Sequence, residues 1–234
     1  MAQSEAPLEV IIISDGSADD TIQVARQLKQ DWPIIRVIEL VENVGPGRAR
    51  DIAITAARGK YIALLDDDDE WISDTKLQTQ RQFLEANKNY VLIGASRIEI
   101  LSDSDARVSI YEPLKDDSEI RELCLLRNSF ITSSLMFPLQ SYLRSGGFPD
   151  RRLAEDYELT LRLLKVGKAQ NLDGCDVRYY SREQGAHLSG FRQMKRASLE
   201  IIKTYRHDFP NGHKALLKAY ARIIDVELRH ILRR

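Results

Sequence analysis

Four consecutive carboxylates, Asp66-Asp67-Asp68-Asp69, stand directly after the apolar run Tyr61-Ile62-Ala63-Leu64-Leu65 and directly before Glu70 and Trp71. Adjacent anions repel one another, so gathering them is costly unless a cation shares the space. Carboxylate oxygens select hard divalent ions, Mg2+ or Mn2+. An unbroken apolar run reads as a buried parallel strand, and ligands of open α/β sheets bind at the carboxyl ends of such strands. The pattern therefore puts a divalent metal at the mouth of an α/β sheet, an arrangement suited to a nucleotide diphosphate. Acidic runs also serve as solvated loops, and strand-end Asp residues as helix caps. A calcium loop of the EF-hand kind does not fit, because Trp71 stands where that loop needs glycine.

Two further groups fall at predicted strand ends. Asp15-Gly16-Ser17 offers a carboxylate able to accept hydrogen bonds from a base or sugar edge, or simply a turn. The segment 43–51 carries Gly45, Gly47, Arg48 and Arg50. Glycine permits close backbone approach, and arginine pairs with phosphate or stacks on a base. Glu155-Asp156 opens a strong helical pattern, where the helix dipole favours an ionised carboxylate; both acids also suit a plain capping role.

The elements that must position these groups read as β-α-β-α-β over the first seventy residues. Residues 8–14 form a buried strand, and Ser17 is placed to cap a helix running to about residue 29, with Asp20 as its capping-box partner. Residues 34–40 form a second strand, 48–58 a helix stopped by Gly59, and 61–65 a third strand. Beyond the acidic run, 75–86 reads as a helix, 90–100 as a strand and 102–118 as a surface loop. Residues 130–137 read as a strand, 155–166 as a helix ended by Gly167, and 177–180 as a short strand. From about residue 191 the chain is helical to its end, broken near Pro210-Asn211-Gly212.

In this order the segments resemble family 2 glycosyltransferases. The matching pieces are Asp15-Gly16-Ser17, Gly45-Pro46-Gly47-Arg48-Ala49-Arg50-Asp51, and Arg58-Gly59-Lys60-Tyr61 running into the acidic run. Further on come Gly146-Gly147-Phe148-Pro149 and Ala154-Glu155-Asp156-Tyr157, similar to the family's acceptor-side segments. The resemblance spans roughly residues 3–190; it marks 1–190 as a glycosyltransferase domain truncated at its N-terminus and leaves 191–234 as a basic amphipathic helical tail. It implies an α/β chain of the GT-A fold, a Rossmann-like and mainly parallel sheet flanked by helices. It implies inverting, metal-dependent transfer from a nucleotide-diphosphate sugar, a UDP sugar foremost, to a hydroxyl of a glycan, lipid-linked or protein acceptor.

By the same resemblance Asp15 meets the nucleotide base, and Arg50 lies near base and phosphates. Asp66 and Asp67 fall on the nucleotide-sugar side, and Asp68 and Asp69 are the candidate ligands of Mg2+ or Mn2+. Asp156 matches the catalytic base. Arg182 and His187 follow the last strand, where the family often carries a diphosphate-binding His or Arg.

One departure from the family concerns the start. The family's first strand, its loop and its helix have no counterpart here, which predicts open strand edges, low stability and weak nucleotide binding. Either the true start lies upstream or the chain is a truncated relative, and the latter leaves an inactive nucleotide-sugar-binding or interaction domain as the rival reading. A nucleotidyltransferase is a third, lacking a visible Gly-rich phosphate loop.

The bulk composition is that of an ordinary globular chain: 234 residues, net charge −1 and 43% hydrophobic content. Nothing global points to nucleic acid. Cys124 and Cys175 match no metal or redox spacing and suit a reducing, cytoplasmic compartment. Residues 190–234 hold eleven Lys/Arg against four acids, with apolar residues at helical spacing from Leu216 to Leu232. Such a helix either docks on the domain with a basic outer face or lies on an anionic membrane surface, the contact then running through 213–234.

Overall fold

The structure, a computed structural model, describes residues 3–102, 108–181 and 188–232. The β-branched run Val10–Asp15 forms β1 and pairs in parallel with β2, Ile35–Leu40, through the helix α1, Thr21–Asp31. The cap of α1 is not the expected Ser17, whose hydroxyl accepts a hydrogen bond from Ser14. The N-cap position falls at Asp20, whose side chain makes no capping bond, while the Asp19 carboxylate accepts from the backbone N–H and hydroxyl of Thr21. Helix α2, Pro46–Thr55, opens on a proline, whose missing N–H costs nothing in a first turn.

From here the pairing departs from a simple parallel order. β3, Tyr61–Ala63, pairs with no part of β1. It runs antiparallel to β8, Met136–Pro138, which in turn pairs antiparallel with β5, Tyr90–Ala95; β5 runs parallel to β9, Lys168–Leu172. The predicted long strand at 90–100 is broken: after β5 the chain turns at Ser96-Arg97, and β6, Ile98–Ser102, joins another sheet. That sheet is completed by β4, Glu70–Trp71, by β10, Val177–Ser181, and by β7, Val108–Tyr111, the last within a stretch predicted as loop. Residues 130–137 are only partly strand, because Ser133 and Ser134 lie in a 3₁₀ turn, Thr132–Ser134, ahead of β8. Among the described residues one edge of β1 and one edge of β3 carry no partner strand. A cavity of about 550 Å³, lined by Ile12, Val24, Ala25, Leu28 and Asp67, lies beside β1.

The helices α3 (Lys76–Ala86), α4 (Asp117–Leu123), α5 (Leu139–Ser145) and α6 (Glu155–Val166) pack on these sheets. Helix α6 is apolar on its inner side, where Leu159, Leu161, Leu163 and Leu164 are buried. It stops at Gly167 for lack of space, not for backbone freedom: a Cβ there would meet the Val91 side chain at 2.4 Å. Helices α7 (Leu188–Tyr205) and α8 (Gly212–Leu232) form a hairpin whose inner residues, among them Ile201, Tyr205, Ala215 and Ala219, share the main core with α6.

One buried cation stands out. Lys76 is fully buried, its Nζ donating to Gln80 at 2.8 Å and lying 4.5 Å above the Trp71 ring. Burial pulls its ammonium from 10.5 down to about 7. The folded state therefore sheds this proton near neutrality while the unfolded chain keeps it to higher pH. Stability should rise with pH above 7, by up to about 1.4 kcal/mol per unit. Lys76→Met should flatten that rise, seen as urea midpoints that no longer differ between neutral and mildly alkaline buffer.

Candidate active site

The acidic run, the start of α6 and β10 converge on one side of the molecule. Tyr179 of β10 reports it: burial raises its phenol, and the charges of Asp69, Asp68, Asp66 and Asp156 add to the rise. Arg50, which donates to both Asp66 and Glu155, brings residues nearly ninety positions apart in sequence to one space. Leu64 and Leu65 end the apolar run, and Asp66 begins the acids where β3 leaves its sheet.

Arg50 ties the two halves together. From α2 its Nη2 donates to Asp66 at 2.6 Å and its Nη1 to Glu155 at 3.1 Å, with the guanidinium 5.9 Å from the Phe148 ring centroid. Gly47 makes this approach possible, because a Cβ there would meet Glu155 Cγ at 2.8 Å. The pairing gives two neighbouring acids different surroundings. Glu155 is buried and held by Arg50, its carboxyl raised chiefly by burial. Asp156 is half-buried and shares the space around Tyr179. Ala154, just before them, adopts a left-handed φ of 57°, which sets the angle at which α6 begins.

The acidic loop is held from below by Ser133, which the sequence reading missed by assigning it to a strand. Its hydroxyl donates to Asp69 Oδ2 and accepts from the Asp66 backbone N–H at 3.0 Å. Its carbonyl accepts from Trp71 Nε1 at 2.7 Å. The backbone N–H of Tyr180 donates to the other Asp69 oxygen at 3.1 Å. The polar pair Ser133-Ser134 inside an apolar run was the available signal. Ser133→Ala removes the donor to Asp69 and should cost about 1–2 kcal/mol. It should also weaken Mn2+-dependent UDP binding, read by calorimetry; unchanged Mn2+ dependence would reduce Ser133 to a purely structural part.

Among the described residues no three acids or imidazoles converge as a ready-made chelate. The donors are nevertheless all carboxylate oxygens, and Asp69's carboxyl is raised by burial and then by its acidic neighbours, against the hydrogen bonds from Ser133 and Tyr180. That set fits Mg2+ or Mn2+ held by one or two carboxylates, with phosphate oxygens and water in the remaining positions.

The remaining expected residues make other contacts. Asp15 accepts hydrogen bonds from the N–H groups of Val44 at 2.7 Å and Gly45 at 2.9 Å, so its carboxylate braces the loop ahead of α2. Asp67 points to the cavity beside α1. Arg182 and His187 lie outside the described residues.

The chain matches the family model for glycosyl transferase family 2 over residues 1–143. It is 30% identical over 209 residues to the UDP-Glc:alpha-D-GlcNAc-diphosphoundecaprenol beta-1,3-glucosyltransferase WfaP of Escherichia coli, covering 87% of this chain and 77% of that one. It is 27% identical to chondroitin synthase of Pasteurella multocida over 73% of this chain, but spans only 17% of the synthase. Among solved structures it is similar to the mannosyltransferase PcManGT from Pyrobaculum calidifontis in complex with GDP-Man and Mn2+, with a TM-score of 0.67 at 17% identity. That likeness covers 95% of this chain and 63% of PcManGT. S. aureus TarS 1–349 in complex with UDP gives 0.63 at 21% identity, covering 94% of this chain and 64% of that one. These structural likenesses establish the fold, GT-A, and the chain spans less than two thirds of each solved neighbour.

Proposed function

This chain belongs to glycosyl transferase family 2, and we propose that it performs inverting transfer from a UDP sugar to an acceptor hydroxyl, in polysaccharide assembly at the cell envelope. The observation that supports the reading is Arg50 donating to both Asp66 and Glu155, which ties the acidic run to the helix start that carries Asp156. In this reading the carboxylates of the acidic run take the metal and Asp156 serves as the base beside them.

In this reading Asp66 and Arg50 orient the nucleotide side and Asp68, with Asp69, takes the metal. Ser133 and Tyr180 fix the Asp69 carboxylate in place, and Asp68 and Asp69 are tested together as the metal ligands. A divalent ion, when bound, screens the charge of the departing diphosphate. Asp156 accepts the proton of the acceptor hydroxyl as its oxygen attacks the anomeric carbon. The bond from that carbon to the diphosphate breaks, the configuration inverts, and nucleoside diphosphate leaves. Asp15 supports the pocket through the loop it braces.

The E. coli relative is named for a UDP-Glc donor and a diphosphoundecaprenol-linked acceptor; by that likeness a UDP sugar and a lipid-linked acceptor are the first pair to try. Residues 1–190 carry the chemistry in this scheme and 191–234 flank it. Two free, buried cysteines suit a cytoplasmic setting. Among the described residues no helix is long and apolar enough to cross a membrane. A nucleotide-sugar-binding domain without turnover is the second reading; among the described residues one edge of β1 has no partner strand.

UDP and Mn2+ together should raise the melting point, because a ligand at about 100 times its Kd adds about 2.7 kcal/mol of stability. The shift should need both and vanish in Asp68→Ala/Asp69→Ala. A chain that melts identically with and without them would defeat the proposal.

A further inference from the structure

Helix α8 is apolar on two opposite sides, and only one is used by the fold. Ala215, Ala219 and Val226 are buried against the rest of the protein. Leu217, Tyr220 and Ile224, spaced as one stripe along the other side, are 72%, 44% and 58% exposed. Burying this stripe contributes nothing to the described core, and an apolar stripe of this kind on a soluble surface marks a contact. The rim is basic. Lys214 and Lys218 are exposed on α8 beside the stripe, and Lys203 of α7 places its Nζ 5.8 Å from the Tyr220 ring centroid. Nearby acids are largely matched: Glu227 accepts from Arg192 and Arg196, and Glu200 from Lys203. Asp225 is exposed on the same helix next to Arg222.

We propose that this outer face of α8 rests on an anionic lipid surface, with Leu217, Tyr220 and Ile224 in the interface and Lys214 and Lys218 against the headgroups. An apolar stripe edged by lysines matches such a surface in both chemistry and charge. The two alternatives open from sequence are then both realised, since one side of the helix docks on the domain while the other faces lipid. The contact rests on the surface of α8 and stands or falls apart from the transfer reading.

The test is flotation of the full chain with vesicles of equal parts phosphatidylglycerol and phosphatidylcholine, and with phosphatidylcholine alone. The chain should float with the anionic vesicles and release them at high salt. Leu217→Glu/Ile224→Glu should weaken binding at least about tenfold, and Lys214→Glu/Lys218→Glu should abolish the preference for anionic lipid. Both variants should keep the melting shift given by UDP and Mn2+. Wild-type chain that ignores anionic vesicles, or a Leu217/Ile224 variant that binds them equally, overturns the proposal. So does a wild-type dimer that the Leu217/Ile224 variant splits, which would assign the face to a second copy. Vesicle binding without any UDP shift would instead defeat the transfer reading and leave this contact standing.

Discussion

Asp156→Asn should lower kcat for sugar transfer by about 10³-fold while leaving the UDP–Mn2+ melting shift intact, because a positioned general base contributes 10²–10⁴ to such a step. The amide is nearly isosteric and removes only the proton acceptor. Glu155→Gln is the matching control. Glu155 is buried and bound by Arg50, so its amide should lower stability before it affects the proton step. The pair of variants is read by UDP release at saturating donor and by melting point. Undiminished turnover by Asp156→Asn would remove the assigned base, whichever donor is used.

Arg50→Met should be the most destabilising single change at the site. Its guanidinium is the shared partner of Asp66 and Glu155, with side chains only 19%, 29% and 11% exposed. Removing it leaves two carboxylates facing each other with little water. The cost should be about 2–3 kcal/mol, below the full penalty of a wholly buried pair because some solvent reaches it. For a chain of this size that lowers Tm by roughly 5–10 °C. The pH dependence has a definite sign. Glu155's carboxyl is already raised by burial, so the folded state holds its proton more tightly than the unfolded chain does. A raised acid adds stability at low pH that is lost as pH climbs through its folded value. Losing Arg50 raises Glu155 further, so the deficit of the variant should shrink in mildly acid buffer and widen at neutral pH. Urea midpoints at the two conditions check this; a pH-independent deficit would mean that Arg50 matters through packing on Phe148 alone. Arg50→Lys should not restore the wild type, since one ammonium cannot serve both carboxylates in a fork.

The helices were the most legible part of the sequence. Helix α6 ends where the apolar spacing and Gly167 put its ends, and the acidic run with Asp156 was already marked as the chemistry-bearing set. Those features are local: helical periodicity and a block of like charges are written in neighbouring residues. Strand pairing was not legible in the same way. That β3 pairs antiparallel with β8, that β6 leaves the sheet of β5, and that β7 and β9 exist at all depend on partners dozens of residues away. Ser133 was read as strand because its apolar flanks have the right composition, whereas the 3₁₀ turn is stabilised by contacts with Asp66, Asp69 and Trp71. The family resemblance singled out Asp156 as the base, but the different surroundings of Glu155 and Asp156 lay beyond the sequence. Both acids open the same helix, and only the position of Arg50 across the fold occupies one and leaves the other facing Tyr179. By itself, then, the sequence determined which groups this protein has for chemistry and which segments are helical, because those follow from side-chain type and short-range periodicity. The tertiary structure decided which carboxylates meet, which are already spent on Arg50 and Ser133, and which side of α8 is left uncovered, because burial and pairing are set by residues distant in the chain.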